Sequence, residues 1–352
     1  MSEPIVATPI AAHGAAQLPS VTVDSYNARI KDEEGFVGDQ ASKGAFRDIL
    51  EEWRKRAKKN GRDPFGGMSL ETLPRKKLDE ILKSGDTEAA SLVQTAIEDF
   101  AKELAGVIRR FLKLKAWADV ERIVVGGGMS RSRIGELTVR RAEILLRGQE
   151  VALPLTLVRN KPDEAGLVGA VHLAPSWIFE GYEAILAIDI GGTNMRAGVV
   201  CFNRERAKNL AKAAVWKLEV WRHADEEKLK RDDAVAVLAG MLAKLVKVSA
   251  KNRIKVAPFI GIGCPGKIDA NGSIEQGAQN LPGNWESDRF HLPSALRKAI
   301  GKIGKHETHL VMHNDAVVQG LSEVPFMTDV RRWGVLTIGT GLGNACFTNR
   351  KK

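Results

Sequence analysis

The chain has 352 residues, of which 44% are hydrophobic and 27% are charged, and its formal net charge at pH 7 is +10. This length exceeds what one hydrophobic core usually serves, so we expect two domains or one two-lobed domain with a cleft. No stretch approaches the roughly 18 apolar residues that span a bilayer, and no secretory signal pattern opens the chain, which predicts a cytoplasmic protein without a membrane partner.

The three cysteines are scattered along the chain and form no Cys-x-x-Cys pair, so neither a disulfide framework nor a zinc site is supported. The positive charge is densest between Arg54 and Arg62, where the apolar spacing predicts the end of a helix. We interpret these charges as a solvated helix face. A nucleic-acid surface is the alternative, and attraction of an anionic substrate is compatible with either.

Residues 1–30 are rich in alanine, proline and β-branched residues, which predicts an N-terminal arm with a short strand at 21–23. From about 39 to 114 the apolar residues recur with helical spacing. The clearest helix begins after a capping cluster at 84–87. Its apolar residues are three or four positions apart: Val93, Ile97, Phe100, Leu104, Ile108 and Phe111.

From residue 120 onward, strands alternate with helices. A strand over 123–125 leads into three glycines, Gly126, Gly127 and Gly128, and Pro162 opens a short helix. A small domain is predicted from about residue 183, with strands at 185–190, 197–202, 214–221 and 259–263 and a helix over 231–250. This pattern predicts a mixed sheet flanked by helices, an α/β fold.

The first of two glycine-rich turns follows the strand over 185–188 and reads Asp189-Ile190-Gly191-Gly192-Thr193-Asn194-Met195-Arg196. Glycines let backbone N–H groups approach phosphate oxygens, and Thr193 adds a hydroxyl donor. Asp189 at the strand end can orient a magnesium ion or its water. Taken alone, the segment leaves open a plain Gly-Gly turn between strands.

The second turn lies between strand-like runs at 333–338 and 345–348 and reads Gly339-Thr340-Gly341-Leu342-Gly343. Two such strand–turn–strand units in one chain are much less expected by chance than one. They suggest a phosphate clamped between two hairpin turns.

A near-match to the P-loop pattern occurs over 261–267, but Ile268 stands where a magnesium-binding Ser or Thr is required. A turn signal follows instead of a helix start, so we reject the P-loop interpretation. The turn at Pro265 and Gly266 is predicted to form one wall of a substrate pocket.

A polar pair, Asn314 and Asp315, follows the predicted strand over 309–312. A carboxylate at a strand end suits a general base that takes a proton from a substrate hydroxyl, while Asn314 holds a neighbouring hydroxyl. The alternative is that Asp315 only caps the helix that starts at Ala316.

Five motifs in this order resemble the N-terminal half of the ROK family of sugar kinases and regulators, which belongs to the actin, hexokinase and Hsp70 superfold. They are Asp189-Ile190-Gly191-Gly192-Thr193, Gly261-Ile262-Gly263-Cys264-Pro265-Gly266, Asn280-Leu281-Pro282-Gly283-Asn284-Trp285, Asn314-Asp315-Ala316 and Gly339-Thr340-Gly341-Leu342-Gly343. The resemblance implies a two-lobed actin-like ATPase (ribonuclease H-like) fold.

Earlier segments resemble the family's C-terminal half: 84–86 with the long helix to 111, 123–128, and 162–170. The resemblance therefore covers about 85–349 in circularly permuted order, with the family's usual ends fused across 174–183. Fusion of this kind is tolerated when the old ends lie close together at a surface. The predicted domains are an arm at 1–30, a large lobe at 31–182 plus 313–352, and a small lobe at 183–312.

Carried over motif by motif, the resemblance implies Asp315 as the catalytic base and Asp189 as the magnesium residue. It implies that ATP is held by Gly191, Gly192, Thr193, Asn194 and Arg196, by Gly339, Thr340, Gly341 and Gly343, and by Gly126, Gly127 and Gly128 beside adenosine. The sugar would contact Pro265, Gly266, Asn280 and Asn314. A homodimer is compatible with this assignment.

The chain departs from the family where a Glu-x-Gly-His sugar motif and a Cys-rich zinc segment are expected after the second turn. The nearest substitutes are Glu33, Glu34 and Asp39, and no structural zinc is expected.

The leading hypothesis is ATP-dependent phosphorylation of a sugar hydroxyl. The alternative is a non-catalytic sugar-binding regulatory protein, although residues 1–30 are too short for the DNA-binding module of such regulators, and no nucleic-acid partner is expected.

Overall fold

A computed structural model describes residues 10–33, 35–59, 61, 63–70, 73–84 and 87–350, except the side chain of Ser84. Several predicted features therefore lie outside the described residues: residues 1–9 of the arm, Glu34, Asn60 and Arg62 of the basic cluster, and Gly85 and Asp86 of the capping cluster.

Sixteen strands are assigned within these ranges. They are β1 (Val21–Tyr26), β2 (Lys31–Asp32), β3 (Gly35–Phe36), β4 (Arg122–Gly126), β5 (Leu155–Leu157), β6 (Ala184–Ile190), β7 (Met195–Cys201), β8 (Ala214–Trp221), β9 (Val256–Cys264), β10 (Lys267–Ile268), β11 (Ile274–Gln276), β12 (Lys302–Ile303), β13 (His306–Glu307), β14 (His309–Asn314), β15 (Arg332–Ile338) and β16 (Leu342–Asn349).

Eight α-helices are assigned within the same ranges. They are α1 (Lys43–Lys59), α2 (Arg75–Ser84), α3 (Thr87–Leu112), α4 (Arg133–Gly148), α5 (Pro162–Gly169), α6 (Arg231–Lys251), α7 (Leu292–Ala299) and α8 (Asp315–Leu321). None of the helices in the described part of the chain is both long and apolar enough to cross a membrane.

The chain divides into two compact units. The first unit contains Met1–Asn27, Arg159–Arg331 and Ala345–Lys352, and the second contains Ala28–Val158 and Arg332–Asn344.

The first unit is built on a five-stranded sheet of order β14-β9-β6-β7-β8. Strands β6, β9 and β14 are parallel, whereas β7 is antiparallel to both β6 and β8. Every residue of β6 is buried, as expected for a central strand covered on both faces. The architecture confirms the α/β class predicted from the sequence.

Helices cover both faces of this sheet. Apolar residues of α6 and α7 pack on one face, around Leu186, Ile188 and Ile262. Helices α5 and α8 pack on the other face and cross each other closely. A Cβ atom added to Gly169 of α5 would lie 1.7 Å from the carbonyl oxygen of Val318 in α8, so this crossing requires glycine.

The predicted arm adds further structure to the first unit. Strand β1 confirms the strand predicted at 21–23 and pairs antiparallel with the end of β16, with Val21 opposite Asn349. The backbone N–H of Arg350 donates to the carbonyl oxygen of Ser20 at 3.2 Å. Residues close to the two ends of the described chain are therefore neighbours.

The second unit contains the parallel strands β15, β4 and β5 together with helices α1 to α4. The six apolar residues that predicted the long helix are all buried in α3. Gly334 of β15 lies under the Trp117 ring, where an added Cβ would be 2.4 Å from the indole. Phe111 of α3 packs against the same Trp117 ring, with ring centroids 4.9 Å apart, so this tryptophan connects the helix to β15.

The basic cluster differs from its prediction at one residue. Arg54 is only 5% exposed and is not on a solvated helix face. Its Nη2 lies 2.7 Å from Asp63 Oδ2, and its guanidinium lies over the Phe65 ring. The prediction was wrong here because a carboxylate nine residues away, in the loop after α1, draws the arginine inward.

Candidate active site

The candidate site lies in the first unit, at the carboxyl ends of β6, β9 and β14. The three strands are parallel, so their carboxyl ends meet at one edge of the sheet. In the strand register, Asp189 of β6 is opposite Gly263 of β9, and Asn314 of β14 is opposite Cys264 of β9. A Cβ added to Gly263 would be 3.5 Å from Asp189 Oδ1 and 3.6 Å from Asp315 Cα. The absence of a side chain at Gly263 therefore leaves the two acidic residues on either side of one small gap.

Asp315 is the first residue of α8, and its Oδ1 accepts a hydrogen bond from Ala316 N at 2.9 Å. Burial, with the nearby charge of Asp189, raises the pKa of Asp315 to about 7, and hydrogen bonds to the carboxylate partly oppose this rise. A carboxylate with a pKa near neutrality can both accept and release a proton at physiological pH.

Helix α8 is capped by the side chain of Asn314 in addition to that of Asp315. The Asn314 Oδ1 accepts from Ala316 N at 3.0 Å and from Val317 N at 3.3 Å, and its Nδ2 donates to Gly266 O at 2.9 Å. Gly266 has φ +102°, which favours glycine, and it follows Pro265 in the turn after β9. Asn314 thus ties the predicted sugar-side turn to the start of the helix that carries Asp315.

Asp189 is held in an ion-pair chain that the sequence did not predict. Arg196 Nη1 lies 3.1 Å from Asp189 Oδ2, and Arg196 Nη2 lies 2.7 Å from Asp163 Oδ1 at the start of α5. Burial raises the pKa of Asp189, against the attraction of Arg196. A Cβ added to Gly166 would be 2.5 Å from Asp189 Oδ1, so α5 approaches the carboxylate closely.

The first glycine-rich turn joins β6 to β7 as predicted. Gly191 N donates to Asn194 O at 2.9 Å, and His223 Nε2 lies 2.8 Å from Gly191 O. A Cβ added to Gly192 would be 3.1 Å from Asn280 Cβ. The turn that contains Thr193 therefore lies beside Asn280, which the resemblance placed at the sugar.

Two other predicted loops come together in the second unit. Strands β4 and β15 are parallel, with Gly126 opposite Thr337, so the loops that follow them leave the same edge. Gly127 has φ +83°, and an added Cβ would be 2.3 Å from Ile338 O. Gly126, Gly127 and Gly128 thus lie against the strand that leads into Gly339, Thr340, Gly341 and Gly343.

Sequence reasoning missed several side chains and segments around these loops. In the first unit they are Asp163 and His223. In the second unit, Lys43 N donates to Gly339 O at 2.9 Å, and the Arg75 guanidinium lies over Gly128. Asp163 belongs to segment 162–170, which resembles the sugar-kinase family, but only the fold shows that its side chain pairs with Arg196.

The residues present fit a magnesium ion held largely by a nucleotide. The described residues contain no group of three or more His, Cys, Asp or Glu side chains arranged to hold a metal. Magnesium commonly uses one or two carboxylates and takes its remaining ligands from phosphates and water. Asp189 supplies a hard oxygen donor of this type.

The fold defines an α/β protein, and its sequence is similar to that of a sugar kinase. No family model matches the chain. Over 167 residues it is 29% identical to a glucokinase of Thermotoga maritima, and the match covers 47% of this chain and 44% of that enzyme. The chain therefore spans less than half the length of the curated relative that it matches.

Two solved structures are also similar. A protein of Cytophaga hutchinsonii assigned as a sugar kinase is 21% identical with a TM-score of 0.36, and the match covers 47% of this chain and 48% of that one. A protein of Listeria monocytogenes assigned as an N-acetylmannosamine kinase is 24% identical with a TM-score of 0.32 and 47% coverage of each chain. The glucokinase match confirms the predicted resemblance to sugar kinases.

Proposed function

We propose that this protein is an ATP-dependent kinase that phosphorylates a sugar hydroxyl, with Asp315 as the general base. The observation that carries the proposal is the pair of acidic residues beside Gly263, in which burial raises the pKa of Asp315 to about 7. A base of this pKa can take the hydroxyl proton as the oxygen bonds to the γ-phosphorus of ATP and the bond from that phosphorus to the bridging oxygen breaks, which releases ADP. The match to a glucokinase supports a sugar as the acceptor.

Each loop has a role in this proposal. The N–H groups of the turn at 191–194, with Arg196, stabilise negative charge on the transferring phosphoryl group. In the second unit, the glycines at 126–128 and 339–343 contact the nucleotide. Pro265, Gly266, Asn280 and Asn314 form the sugar side of the site. When bound through Asp189, magnesium supplies charge neutralisation on the phosphate oxygens.

We also propose that the chain order is a circular permutation of the sugar-kinase order. The antiparallel pairing of β1 with β16 supports this, because it makes residues near the ends of the described chain neighbours on adjacent strands. The lobe boundaries predicted from the sequence, 31–182 plus 313–352 and 183–312, are part of the same proposal.

An ADP-release assay over a panel of hexoses, amino sugars and acylated sugars tests the function. We expect one sugar class to stimulate ADP release and Asp315→Asn to lower kcat roughly 10² to 10⁴-fold, the usual worth of a positioned base. Asp232→Asn is the matched control, because that aspartate is 81% exposed at the start of α6. Full activity of Asp315→Asn would show that Asp315 is not the general base. Sugar binding without ADP release would favour the non-catalytic alternative, a sugar-binding regulatory protein.

A further inference from the structure

His313 is a buried residue to which the proposed chemistry gives no role. It is 0% exposed in β14, two residues before Asp315. The Tyr26 ring packs edge-on against it, with ring centroids 4.9 Å apart. Both ring nitrogens have hydrogen-bond partners: Nδ1 lies 2.7 Å from Asn314 N, and Nε2 lies 3.3 Å from Ala15 O.

These two partners determine the state of the ring. The Asn314 N–H can only donate, so Nδ1 must be unprotonated, and the Ala15 carbonyl can only accept, so Nε2 must carry the proton. His313 is therefore held as one neutral tautomer. Burial lowers its pKa to about 4, which agrees with a neutral ring at physiological pH.

The N-terminal arm reaches β14 at this point. β14 is at one edge of its sheet, and the arm satisfies the outward-facing backbone of Met312: Gly14 N donates to Met312 O at 2.9 Å, and Met312 N donates to His13 Nδ1 at 3.0 Å. Gly14 has φ +58°, and an added Cβ would be 2.1 Å from Ile268 O. The arm therefore fits this edge only with glycine at position 14.

We propose that His313 is a positioning residue for the catalytic base, through which the arm at 13–15 fixes the backbone of Asn314 and Asp315. The inference rests on the proposed function. A continuous chain of hydrogen bonds carries it, from Ala15 O to His313, from His313 to Asn314 N, and from the Asn314 side chain to Gly266 and the first turn of α8.

Loss of the Nδ1 acceptor leaves the N–H of Asn314 unpaired in a residue that is 3% exposed. The backbone then relaxes at the position that sets the direction of the Asp315 carboxylate. The turn at 191–194 is not part of this chain of bonds. We therefore expect a lower kcat with an unchanged KM for ATP.

Three variants separate the two ring nitrogens. His313→Asn places an amide oxygen near the position of Nδ1, His313→Gln places an amide nitrogen near that of Nε2, and His313→Leu removes both. We expect kcat within about 3-fold of the wild type for His313→Asn, and a loss of 10-fold or more for His313→Gln and His313→Leu. KM for ATP should stay within about 2-fold in each.

His309→Gln is the matched control, because His309 is an exposed histidine in the same strand, and it should leave kcat unchanged. Gly14→Ala, which displaces the arm without touching the ring, should lower kcat as well. Thermal unfolding of each variant shows whether it has folded, and kcat is taken per folded molecule.

The results distinguish failure of the inference from failure of the function. If no sugar stimulates ADP release by the wild type, the proposed function fails and the inference fails with it. If the wild type is a kinase and folded His313→Gln retains its kcat, the inference is overturned. Equal losses in His313→Asn and His313→Gln would also overturn it, because a purely space-filling role predicts no rescue by the retained acceptor.

Discussion

At the scale of single residues, the site separates two carboxylates by environment. Burial raises the pKa of both carboxyl groups. At Asp189 the ion pair with Arg196 opposes this rise, whereas at Asp315 the charge of Asp189 adds to it. Burial and the charge of Asp189 therefore act together on Asp315. Two acidic groups with different surroundings can take different roles, one holding charge and the other moving a proton.

The raised pKa of Asp315 gives a pH prediction. The base must be unprotonated to accept the hydroxyl proton, and a pKa of about 7 means that protonation removes it as the pH falls below neutrality. We expect kcat/KM for the sugar to fall about tenfold per pH unit below pH 7 and to be flat above it. Enzyme held at pH 6 and assayed at pH 8 should recover full activity. A flat profile down to pH 5 would contradict the assignment.

At the scale of secondary-structure elements, the sequence predicted helices, strands and turns better than it predicted which side chains contact each other. The spacing of Val93 to Phe111 predicted α3, and both glycine-rich turns were correctly placed between strands, because each signal is contained in neighbouring residues. The second turn is shorter than predicted, since Leu342 and Gly343 already belong to β16. The pairing of Arg196 with Asp163, 33 positions apart, has no local signal. The hydrogen bonds of the arm to the edge of β14 also have no local signal, since His13 and Met312 are about 300 positions apart in the sequence.

The crossing of α5 and α8 gives a prediction at this scale. Gly169→Ala forces a methyl group against Val318 O and must separate the helices, which we expect to destabilise the protein by roughly 1–3 kcal/mol. Because α8 begins with Asp315, kcat should fall as well. Gly240→Ala is the matched control: Gly240 is exposed within α6 with open space around it, so alanine should stabilise by about 0.5–1 kcal/mol. Denaturant midpoints of both variants measure the difference.

At the scale of the whole molecule, the proposed permutation concerns the order of the two halves along the chain. In this proposal, residues 85–170 correspond to the C-terminal half of the sugar kinases and precede the segment that corresponds to the N-terminal half. The joining segment contains a short 3₁₀ turn at Ser176–Phe179, where Phe179 packs edge-on against Phe202. Gly181 follows with φ +79° and no neighbouring atom within 4 Å of an added Cβ. In the proposed joint, we therefore expect a chain break beside Gly181 to be tolerated.

A rearranged chain tests the proposed permutation. Joining Lys352 to Met1 through a short Gly-Ser linker, and opening the chain between Gly181 and Tyr182, restores the sugar-kinase order while keeping every residue. Since Arg350 and Ser20 are already hydrogen-bonded neighbours, we expect this variant to fold, to melt within about 10 °C of the wild type, and to keep kcat within about tenfold. Opening the chain between Ala187 and Ile188 is the control, because it cuts the fully buried central strand β6 and should abolish folding. Equal failure of both variants in thermal unfolding and circular dichroism would contradict the permuted arrangement.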